Sequence, residues 1–425
     1  MKKTVKSGIA KKIICGSVIC SFMLSGCAGD KIQTLSLQET DVSEQTQSIN
    51  LIYEEDNPKT DSVVGVDNSE SSDLNASIVM VGDVLLHERV SDSGLMEDGS
   101  YNYDHIFANV KDEIEEADLA IANQEVILGG RELGLSGYPS FNGAYEVGDS
   151  LVNAGFDVIL HATNHSLDKG KNGITNCINF WKENYPDTGM LGIHESKEDA
   201  DNVYITNVNG IDIAVLNYTY GTNGIAVPQD MPYAVDIWNE EDIKADVQKA
   251  REEADFIIVC PHWGTEYELN ETEDQKNKAQ FLADIGVDLV IGTHPHVIEP
   301  VEWLTGKDGN MTLVYHSIGN FVNATSGTGK GAAARMVGAM AKVNIKKDND
   351  SVKICSYGVE PLVTHLADGS GKITTYRLNE YTQDMALENE IRNQDSEFDL
   401  DYCKELCSSI FNELYSNRDN EEDSF

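Results

Sequence analysis

The sequence predicts an α/β fold built around a mostly parallel β-sheet. Short apolar runs of strand type alternate with stretches of helix type over most of the chain, and this alternation is typical of βαβ units. Two pairs typical of hairpin turns, Asn209-Gly210 and Asp308-Gly309, interrupt the alternation between β-rich runs. We therefore expect a mixed architecture, in which antiparallel strands extend a parallel core.

The individual elements follow from the same pattern. Each apolar run is short and continuous, as expected for a strand that is buried on both faces. Strands are predicted at 77–81, 119–122, 156–160, 211–216, 256–259 and 289–291, with a further strand pair at 337–345 and 352–359. Helices are predicted at 107–116, 145–154, 172–183, 240–253 and 273–285.

The first residues have the pattern of a bacterial export signal. A basic start is followed by an apolar run at 13–24, which is too short to span a bilayer as a mature helix. The run ends in Leu24-Ser25-Gly26-Cys27, which resembles a lipobox. We expect residues 1–26 to be a signal peptide and Cys27 to be lipidated, anchoring the protein on the outer face of the cell membrane. The alternative is an ordinary signal peptide with a chance cysteine.

The remaining chain divides into three predicted parts. After Cys27, residues to about 75 are rich in Ser, Thr, Asp, Glu, Asn and Gln, which predicts a disordered tether over 27–75. Residues 76–375 contain the alternating elements and are predicted to form the folded domain. Residues 376–425 are acidic and helix-prone, and we expect a helical tail without a clear partner face.

Composition limits the classes of protein and partner. The 425 residues are 40% hydrophobic, so a sizeable core is expected rather than global disorder. The formal net charge of −41 repels nucleic acid and anionic head groups, so we expect neither as a partner. Five cysteines follow Cys27, an odd number without a CxxC pair, which excludes a disulfide framework and a zinc ribbon.

Polar residues of metal-ligand or acid–base type follow the predicted strands. In chain order they are Asp83, His87, Asn123, Glu125, Asn164, His165, Asp168, His262, Glu266, His294, His296 and Asn320. Ligands of open α/β sheets bind at the carboxyl ends of the strands, so this run of residues predicts one convergent site. Imidazole with carboxylate and amide oxygens suits Mn, Fe or Zn, and the candidates are numerous enough for two divalent ions.

Other histidines have simpler interpretations. His161 at the inner end of an apolar strand is expected to be packed rather than a ligand, and His316 fits either role. Three histidines away from strand ends are assigned to surface or core: His105, His194 and His365. His294 and His296 alternate in extended chain, so both reach one site only if the backbone bends after the strand, which Gly292 and Pro295 permit.

The ordered set of motifs resembles the CapA-like poly-γ-glutamate capsule-biosynthesis family over about residues 78–363. The motifs are Gly82-Asp83, Asn123-x-Glu125, Asn164-His165-x-x-Asp168-x-Gly170, His262-Trp263-Gly264-x-Glu266-Tyr267, Gly292-x-His294-Pro295-His296 and Ser317-x-Gly319-Asn320-Phe321. That family is similar to calcineurin-like metallophosphoesterases. The resemblance implies a layered αββα sandwich of the metallo-dependent phosphatase type, with mixed sheets.

The resemblance also implies a role for each matching residue. Asp83 and His296 would bind a first metal, and Glu125 would bridge it to a second. The ligands of the second metal would be Asn164, His262 and His294. His165 would be the general acid that protonates the leaving group. Residues expected to support the ligands or contact the substrate are His87, Asn123, Asp168, Glu266 and Asn320.

The chain departs from the phosphoesterase pattern at the first metal. That pattern has Asp-x-His in its first motif, whereas Leu85 stands two residues after Asp83. The first metal therefore lacks one ligand unless His87 reaches back to it. The bridging residue is Glu125 rather than the usual Asp, and its longer arm alters the spacing available to two metals.

Two functions fit these observations. The first is a metal-dependent hydrolase outside the cell, acting on an anionic polymer or phosphoester in the synthesis or export of a poly-γ-glutamate-like capsule. The second is a non-catalytic export or assembly factor that keeps the phosphoesterase fold and binds the polymer. Both functions imply attachment to the membrane and capsule-synthesis membrane proteins as partners, because the predicted anchor places the domain there.

Overall fold

Strands and helices alternate through most of the folded region. The computed structural model describes residues 74–349, 351–412 and 414. Within them the strands are β1 (Leu74–Val84), β2 (Leu119–Asn123), β3 (Val158–Leu160), β4 (Gly189–Leu191), β5 (Tyr204–Val208), β6 (Ile211–Thr219), β7 (Phe256–His262), β8 (Leu289–Ile291), β9 (Val301–Thr305), β10 (Met311–Tyr315), β11 (Asn320–Val322), β12 (Val337–Asp348), β13 (Ser351–His365) and β14 (Thr374–Arg377). The α-helices are α1 (Glu88–Ser93), α2 (Asp104–Phe107), α3 (Lys111–Glu115), α4 (Tyr145–Ala154), α5 (Gly170–Asn184), α6 (Lys197–Ala200), α7 (Glu240–Glu253), α8 (Glu273–Asp284), α9 (Gln383–Glu388) and α10 (Leu400–Phe411).

The first sheet has the order β14-β13-β12-β1-β2-β3-β4, and β11 pairs with the carboxyl end of β1. Strands β1 to β4 run parallel, whereas β12, β13 and β14 add an antiparallel half. The strand pair predicted after residue 336 is thus confirmed as β12 and β13. Because β1 lies between the two halves, its carboxyl end is central in the sheet.

The second sheet has the order β5-β6-β7-β8-β10-β9. Its four inner strands are parallel, and each edge strand is attached by an antiparallel hairpin. Both hairpins turn at the pairs that the sequence predicts. At the first of them, Asn209 has φ 52° and Gly210 has φ 85°, the left-handed conformations that a tight hairpin turn requires.

Alternation along the strands explains why their sequences are apolar throughout. Ile78 and Met80 of β1 face the second sheet, where Ile258 and Cys260 of β7 join the same core. Residues one position along face outward, and Val79 packs in the cluster that contains helices α4 and α5. The outer face of the second sheet is covered in the same way by α7 and α8. The fold is therefore an αββα sandwich with mixed sheets, as predicted.

One predicted helix is divided in the structure. The stretch 107–116 forms the end of α2 and all of α3, separated by a turn at 108–110. Asn109 in this turn donates from Nδ2 to Oγ1 of Thr374 at 2.9 Å and to the carbonyl oxygen of Thr375 at 3.2 Å. The side chain thus bonds to β14 from a turn conformation, and the prediction of one continuous helix was wrong.

The C-terminal segment packs against the protein instead of lacking a partner face. The expected boundary at 375/376 falls inside β14, and the helices beyond it are partly apolar. Their buried side chains, which include Ile391, Phe398, Cys403, Cys407 and Phe411, belong to the core between the sheets. The expectation of a tail without a partner face was wrong, because the apolar side chains of this acidic segment form a buried stripe.

The cysteines and the membrane predictions have different outcomes. The five cysteines in the described residues form no disulfide bond with one another. No helix in the described part of the chain has both the length and the apolar character needed to cross a bilayer. The predicted signal peptide, Cys27 and most of the tether lie outside the described residues.

Candidate metal centre

The carboxyl ends of strands from both sheets converge on one buried site. It contains Asp83 from β1, Asn123 at the end of β2 and Glu125 after it, Asn164 and His165 after β3, His262 from β7, His294 and His296 after β8, and Asn320 from β11. Each of these residues is no more than 6% exposed. The convergence predicted from the strand-end pattern is therefore present.

The backbone bends after β8 so that two alternate histidines turn inward. His294 has φ 101° and His296 has φ 61°, conformations that cost a non-glycine residue free energy. A side chain at Gly292 would lie 2.1 Å from the carbonyl oxygen of His316, so only glycine permits this approach. This is the bend that the sequence analysis requires for both histidines to reach one site.

A close contact between two glycines sets the position of Asp83. A Cβ atom at Gly82 would lie 1.8 Å from the carbonyl oxygen of Gly319, and the Asp83 amide donates to that oxygen at 3.1 Å. The contact pairs Asp83 with Asn320 at the start of β11. Glycine at position 82 is therefore needed to bring these two side chains together.

Two overlapping groups of side chains have the spacing of metal sites. Ligand-type atoms of Glu125, His262 and His294 lie within 4.8 Å of one another, and so do those of Asp83, Glu125 and His296. Glu125 belongs to both groups. The two groups bring together five of the six residues for which the family resemblance implies a ligand role.

The side chain of Asn164 lies at the group of Glu125, His262 and His294. Its Oδ1 is 2.9 Å from Nε2 of His262, and its Nδ2 donates to Oδ1 of Asn223 at 3.3 Å. The Asn164 oxygen therefore faces Nε2 of His262, and one cation could bind both atoms.

The polar atoms left without partners fit a cation in this cluster. Both carboxylate oxygens of the fully buried Glu125 lack a hydrogen-bond partner, as does Nδ1 of His294. Leaving a buried carboxylate unpaired is costly, so these atoms need a positive charge between them. Nitrogen and oxygen donors in this mixture suit a divalent transition ion such as Mn, Fe or Zn.

Surrounding side chains hold the candidate ligands in place. Asn123 donates from Nδ2 to Oδ1 of Asp83 at 2.7 Å. Nδ1 of His262 lies 2.9 Å from Oγ1 of Thr293, which leaves Nε2 to face Asn164. Nδ1 of His296 lies 3.0 Å from Oδ1 of Asn320 and 3.1 Å from Oδ2 of Asp83. Such partners fix ring orientation at metal sites.

The charges of the cluster oppose one another. Burial raises the pKa of Glu125 well above its usual value, against the opposing effect of His296. Burial lowers the pKa of His262 and of His294 well below the usual value. For His296, burial is outweighed by Glu125 and Asp83, which raise its pKa to about 10. A cation would therefore compete with a proton for the same atoms.

His165 is held beside the cluster without belonging to either group. Its Nδ1 lies 2.7 Å from Oδ2 of Asp168, and its Nε2 lies 3.9 Å from Oε1 of Glu125. The hydroxyl of Thr163 accepts the His165 backbone amide at 3.1 Å and donates to the Glu125 carbonyl at 2.7 Å. Helix α5 begins with Lys169 as its N-cap, so His165 does not cap that helix.

The remaining predicted residues lie at the rim. His87 is the residue before α1, outside both groups of ligand-type atoms. Its ring contacts Phe141 with centroids 5.3 Å apart, and burial lowers its pKa to about 4. Glu266 is exposed beside the site, where it adds to the negative potential at His296. His87 therefore does not join the ligand-type residues around Asp83.

The other histidines are occupied elsewhere. His161 accepts a hydrogen bond from Nε1 of Trp181 at 2.9 Å in the helical layer, as expected for a packed residue. Nε2 of His316 lies 2.8 Å from Oε1 of Glu302, away from the cluster. His194 pairs with Asp236 at 2.8 Å. The histidines assigned to the core or surface therefore remain outside the site.

Residues 77–325 match the family of bacterial capsule synthesis proteins known as PGA_cap. This chain belongs to that family. The capsule biosynthesis protein CapA of Bacillus anthracis is 28% identical over 273 residues, covering 62% of this chain and 63% of that protein. The PGA biosynthesis protein CapA of Bacillus subtilis (strain 168) is 28% identical over 268 residues, covering 61% and 65%. The chain thus spans less than two thirds of the length of these curated relatives.

Solved structures give similarities at lower sequence identity. The NAD nucleotidase of Haemophilus influenzae has 13% identity and a TM-score of 0.43, over 79% of this chain and 67% of that one. A calcineurin-like phosphoesterase from Bacillus subtilis has 14% identity and a TM-score of 0.41, over 78% and 99%.

Three aromatic residues of this chain were not assigned to the site from sequence. The ring of Phe141 packs edge-on against His165 at 4.6 Å, Tyr220 lies 4.7 Å from the His294 ring, and Tyr267 lies 6.0 Å from the His296 ring. Tyr220 directly follows β6, and Tyr267 ends the motif that starts at His262, the last residue of β7. Position after a strand was therefore a signal for both tyrosines. Phe141 lies in an irregular loop and offered none.

Proposed function

We propose that this chain is a metal-dependent hydrolase that acts in the synthesis or export of a poly-γ-glutamate-like capsule polymer. The observation that carries the proposal is the carboxylate of Glu125, which is buried, has no hydrogen-bond partner and is shared by two groups of ligand-type residues. Its Oε1 lies 3.7 Å from Nε2 of His296, beyond hydrogen-bond distance. Divalent ions held by these residues would stabilise the buried carboxylate.

The residues that would hold the ions divide into two sets that share Glu125. Asp83 and His296 would complete the first set; Asn164, His262 and His294 would complete the second. Divalent ions in such a pair polarise an ester or amide oxygen and lower the pKa of water. The protein contributes fixed ligand orientation, because Asn123, Thr293 and Asn320 hold the ligand side chains.

His165 would supply the proton for the leaving group. Asp168 Oδ2 holds the ring at Nδ1, so the proton for the leaving group would be carried on Nε2, the atom that faces the cluster. Phe141 covers one side of the ring, which limits its rotation. A proton held at a fixed atom beside the reacting bond is what general acid catalysis requires.

The substrate class follows from the family rather than from the site. The two Bacillus relatives are described as proteins of capsule or PGA biosynthesis. We therefore propose an anionic polymer or a phosphoester as the substrate, and capsule-synthesis membrane proteins as partners. We also propose the outer face of the membrane as the location, on the basis of Leu24-Ser25-Gly26-Cys27.

The proposal is tested with the full chain by measuring bound metal and hydrolysis together. The substrates are bis(4-nitrophenyl) phosphate and a γ-linked glutamate oligomer. Wild-type protein should hold divalent metal and hydrolyse at least one of them. Glu125→Gln should lose both properties, because it removes the shared negative charge at almost constant volume. Glu302→Gln, at a surface carboxylate, is the matched control and should lose neither.

Retained metal without hydrolysis of either substrate would contradict the enzyme and favour the non-catalytic assembly factor. One observation points in that direction. Leu85 replaces the histidine of the Asp-x-His pattern, and His87 does not join the group around Asp83. The first set of ligands is therefore smaller than the second.

A further inference from the structure

An arginine lies at the rim of the candidate metal centre. Arg335 lies in the 3₁₀ turn Ala333–Met336, directly before β12. The carbon of its guanidinium lies 3.5 Å from the centroid of the Tyr267 ring, and Nη1 donates to Oγ1 of Thr325 at 2.8 Å. Tyr267 is held in turn with φ 70°, and its amide donates to the carbonyl oxygen of Pro295 at 2.8 Å. The guanidinium is therefore fixed against a ring that also contacts His296.

The backbone of Arg335 is connected to the cluster through Asn320. Nδ2 of Asn320 donates to the carbonyl oxygens of His296 and of Arg335, each at 3.0 Å. The same side chain has its Oδ1 3.0 Å from Nδ1 of His296. The side-chain amide of Asn320 thus fixes the position of the Arg335 backbone relative to His296, a candidate metal ligand.

The charge of Arg335 is not neutralised within the described residues. Four other arginines there pair with carboxylates: Arg89, Arg131, Arg251 and Arg377. No carboxylate in the described part of the chain forms an ion pair with Arg335, and its Nε is buried without a partner. In a chain of net charge −41, such a partly buried cation is expected to have a partner from outside the protein.

A groove of about 740 Å³ runs beside this arginine. Its lining includes Thr325, which holds the guanidinium, together with His87 and Lys169. Lys169 is held by Ser140, to whose carbonyl oxygen Nζ donates at 3.3 Å. The carboxylates of Glu88 and Asp92 also line the groove, so its charge is mixed and positive only at particular positions. An extended ligand lying in it would reach Thr325, to which the Arg335 guanidinium is hydrogen-bonded.

We propose that Arg335 binds a carboxylate of the substrate beside the metal centre and so positions the polymer for reaction. The identity of the polymer rests on the proposed function. In a γ-linked glutamate chain every residue carries a free α-carboxylate, so each linkage has an anion nearby. A guanidinium matches a carboxylate with two parallel hydrogen bonds. Stacking on Tyr267 keeps its plane fixed, which reduces the entropy lost on binding.

The test compares binding of a γ-linked glutamate tetramer to the full chain by calorimetry. Arg335→Gln should weaken binding by about 10–100-fold, the usual effect of losing a hydrogen-bonded charge. Arg335→Lys keeps the charge without the planar fork and should recover part of that loss. Thr325→Val removes the hydroxyl that orients the guanidinium and should weaken binding in the same direction. A tetramer with α-carboxamides should bind wild-type protein as weakly as the carboxylate form binds Arg335→Gln.

Arg131→Gln is the matched control. Arg131 is also stacked on a tyrosine, 5.4 Å from the ring centroid of Tyr101, but it is paired with Glu146. Its substitution should leave tetramer binding unchanged. Equal binding by wild type and Arg335→Gln, equal binding of the carboxylate and carboxamide tetramers, or equal losses in Arg131→Gln and Arg335→Gln would overturn the inference.

Metal content measured on the same samples separates the two proposals. Arginine-dependent binding by a protein without metal would support the inference and contradict the metal-dependent hydrolase. If metal-bound wild type binds the tetramer no better than Arg335→Gln, the inference about Arg335 is overturned while the metal centre stands.

Discussion

Oδ2 of Asp168 lies 2.7 Å from Nδ1 of His165 and also accepts the backbone amide of Phe141 at 2.7 Å. The carboxylate therefore connects the imidazole to the loop that covers it. Because Nδ1 is engaged, Nε2 is the ring atom that remains to act on a ligand in the cluster. Ring orientation and tautomer are thus fixed before any substrate arrives.

His165→Gln should leave metal content and fold unchanged and reduce hydrolysis by about 10²–10⁴-fold, the usual contribution of general acid catalysis. The reduction should be smaller for a phosphodiester whose leaving group is already acidic, because that group needs no proton. Rates on substrates with good and poor leaving groups measure the difference. Asp168→Asn should give a smaller loss, since the ring remains but its orientation is less well defined.

His365→Gln is the control for these variants, because its Nδ1 lies 2.9 Å from the hydroxyl of Tyr381, outside the site. It should keep the wild-type rate. An unchanged rate for His165→Gln on the substrate with the poor leaving group would remove this residue from the reaction.

His262→Ala and His294→Ala should each lower the amount of bound metal without unfolding the protein. Both rings belong to the group that includes Glu125, so either change removes a nitrogen ligand from that position. Elemental analysis of the full chain after dialysis gives the metal content, and circular dichroism gives the fold. His105→Ala, at a ring that lies 3.1 Å from Ser93 Oγ, should retain full occupancy. Full occupancy in both site variants would show that neither histidine is a ligand.

Glu299→Gln should stabilise the protein as pH rises. Burial raises the pKa of Glu299 to about 8, and Gln275 donates to its carboxyl group at 2.6 Å. The folded protein therefore keeps a proton that the unfolded chain loses above its ordinary pKa of about 4.5, so wild-type stability falls between those pH values. The variant lacks this loss, so its gain in stability over wild type should level off above pH 8 at about 5 kcal/mol.

Denaturant unfolding of both proteins from pH 4 to pH 9 measures that difference. Glu253→Gln, on the solvent-exposed side of α7, should show no comparable change with pH. A constant difference between Glu299→Gln and wild type across the range would mean that Glu299 ionises normally in the folded protein.

Phe398→Ala should lower the free energy of unfolding by about 3–5 kcal/mol, because it leaves a cavity where a large ring was buried. Phe398 is fully buried in the core between the sheets, although it belongs to the acidic C-terminal segment. Leu387→Ala in α9, where the leucine is 50% exposed, should change stability by about 0.5 kcal/mol or less. Equal stabilities of the two variants would restore the expectation of a tail without a partner.

Cys27→Ala should release the protein into the medium or leave it unprocessed, because the thiol that would take the lipid is absent. Fractionation of cells and electrophoretic mobility give the result. Cys355→Ala, at an exposed cysteine of the described region, is the control and should remain with the membrane. A Cys27→Ala protein found in the membrane fraction at unchanged mobility would contradict the lipoprotein.

The sheets and the cluster were predictable because they depend on local sequence patterns. Strands buried on both faces have continuous apolar runs, as at 256–259, and parallel strands deliver the following residue to one edge. Asp83, Glu125 and His262 could therefore be assigned to one site from the sequence alone. The bend at His294 and His296 could be predicted only on the condition that both histidines reach one site, because the extended chain would not otherwise bring both rings to it.

Features that depend on distant contacts were not predictable in this way. Asn109 divides a helix by bonding to β14, more than 260 residues along the chain. Arg335 lies beside His296 through Asn320 and Tyr267, which are separate in sequence. Phe398 is buried because the two sheets leave apolar surface that local composition does not reveal. In each case a tertiary contact outweighs the preference of the segment itself.

The order of strands also determines how much of the protein must be synthesised before its sheets can close. The second sheet is drawn from one continuous stretch, from β5 to β10, whereas the first combines strands from before and after it. Leu74 of β1 pairs with Lys347 of β12, and such distant pairing slows folding. Until the ribosome has delivered β12, one edge of β1 stays open, and a nascent chain in that state presents a template on which other chains can aggregate.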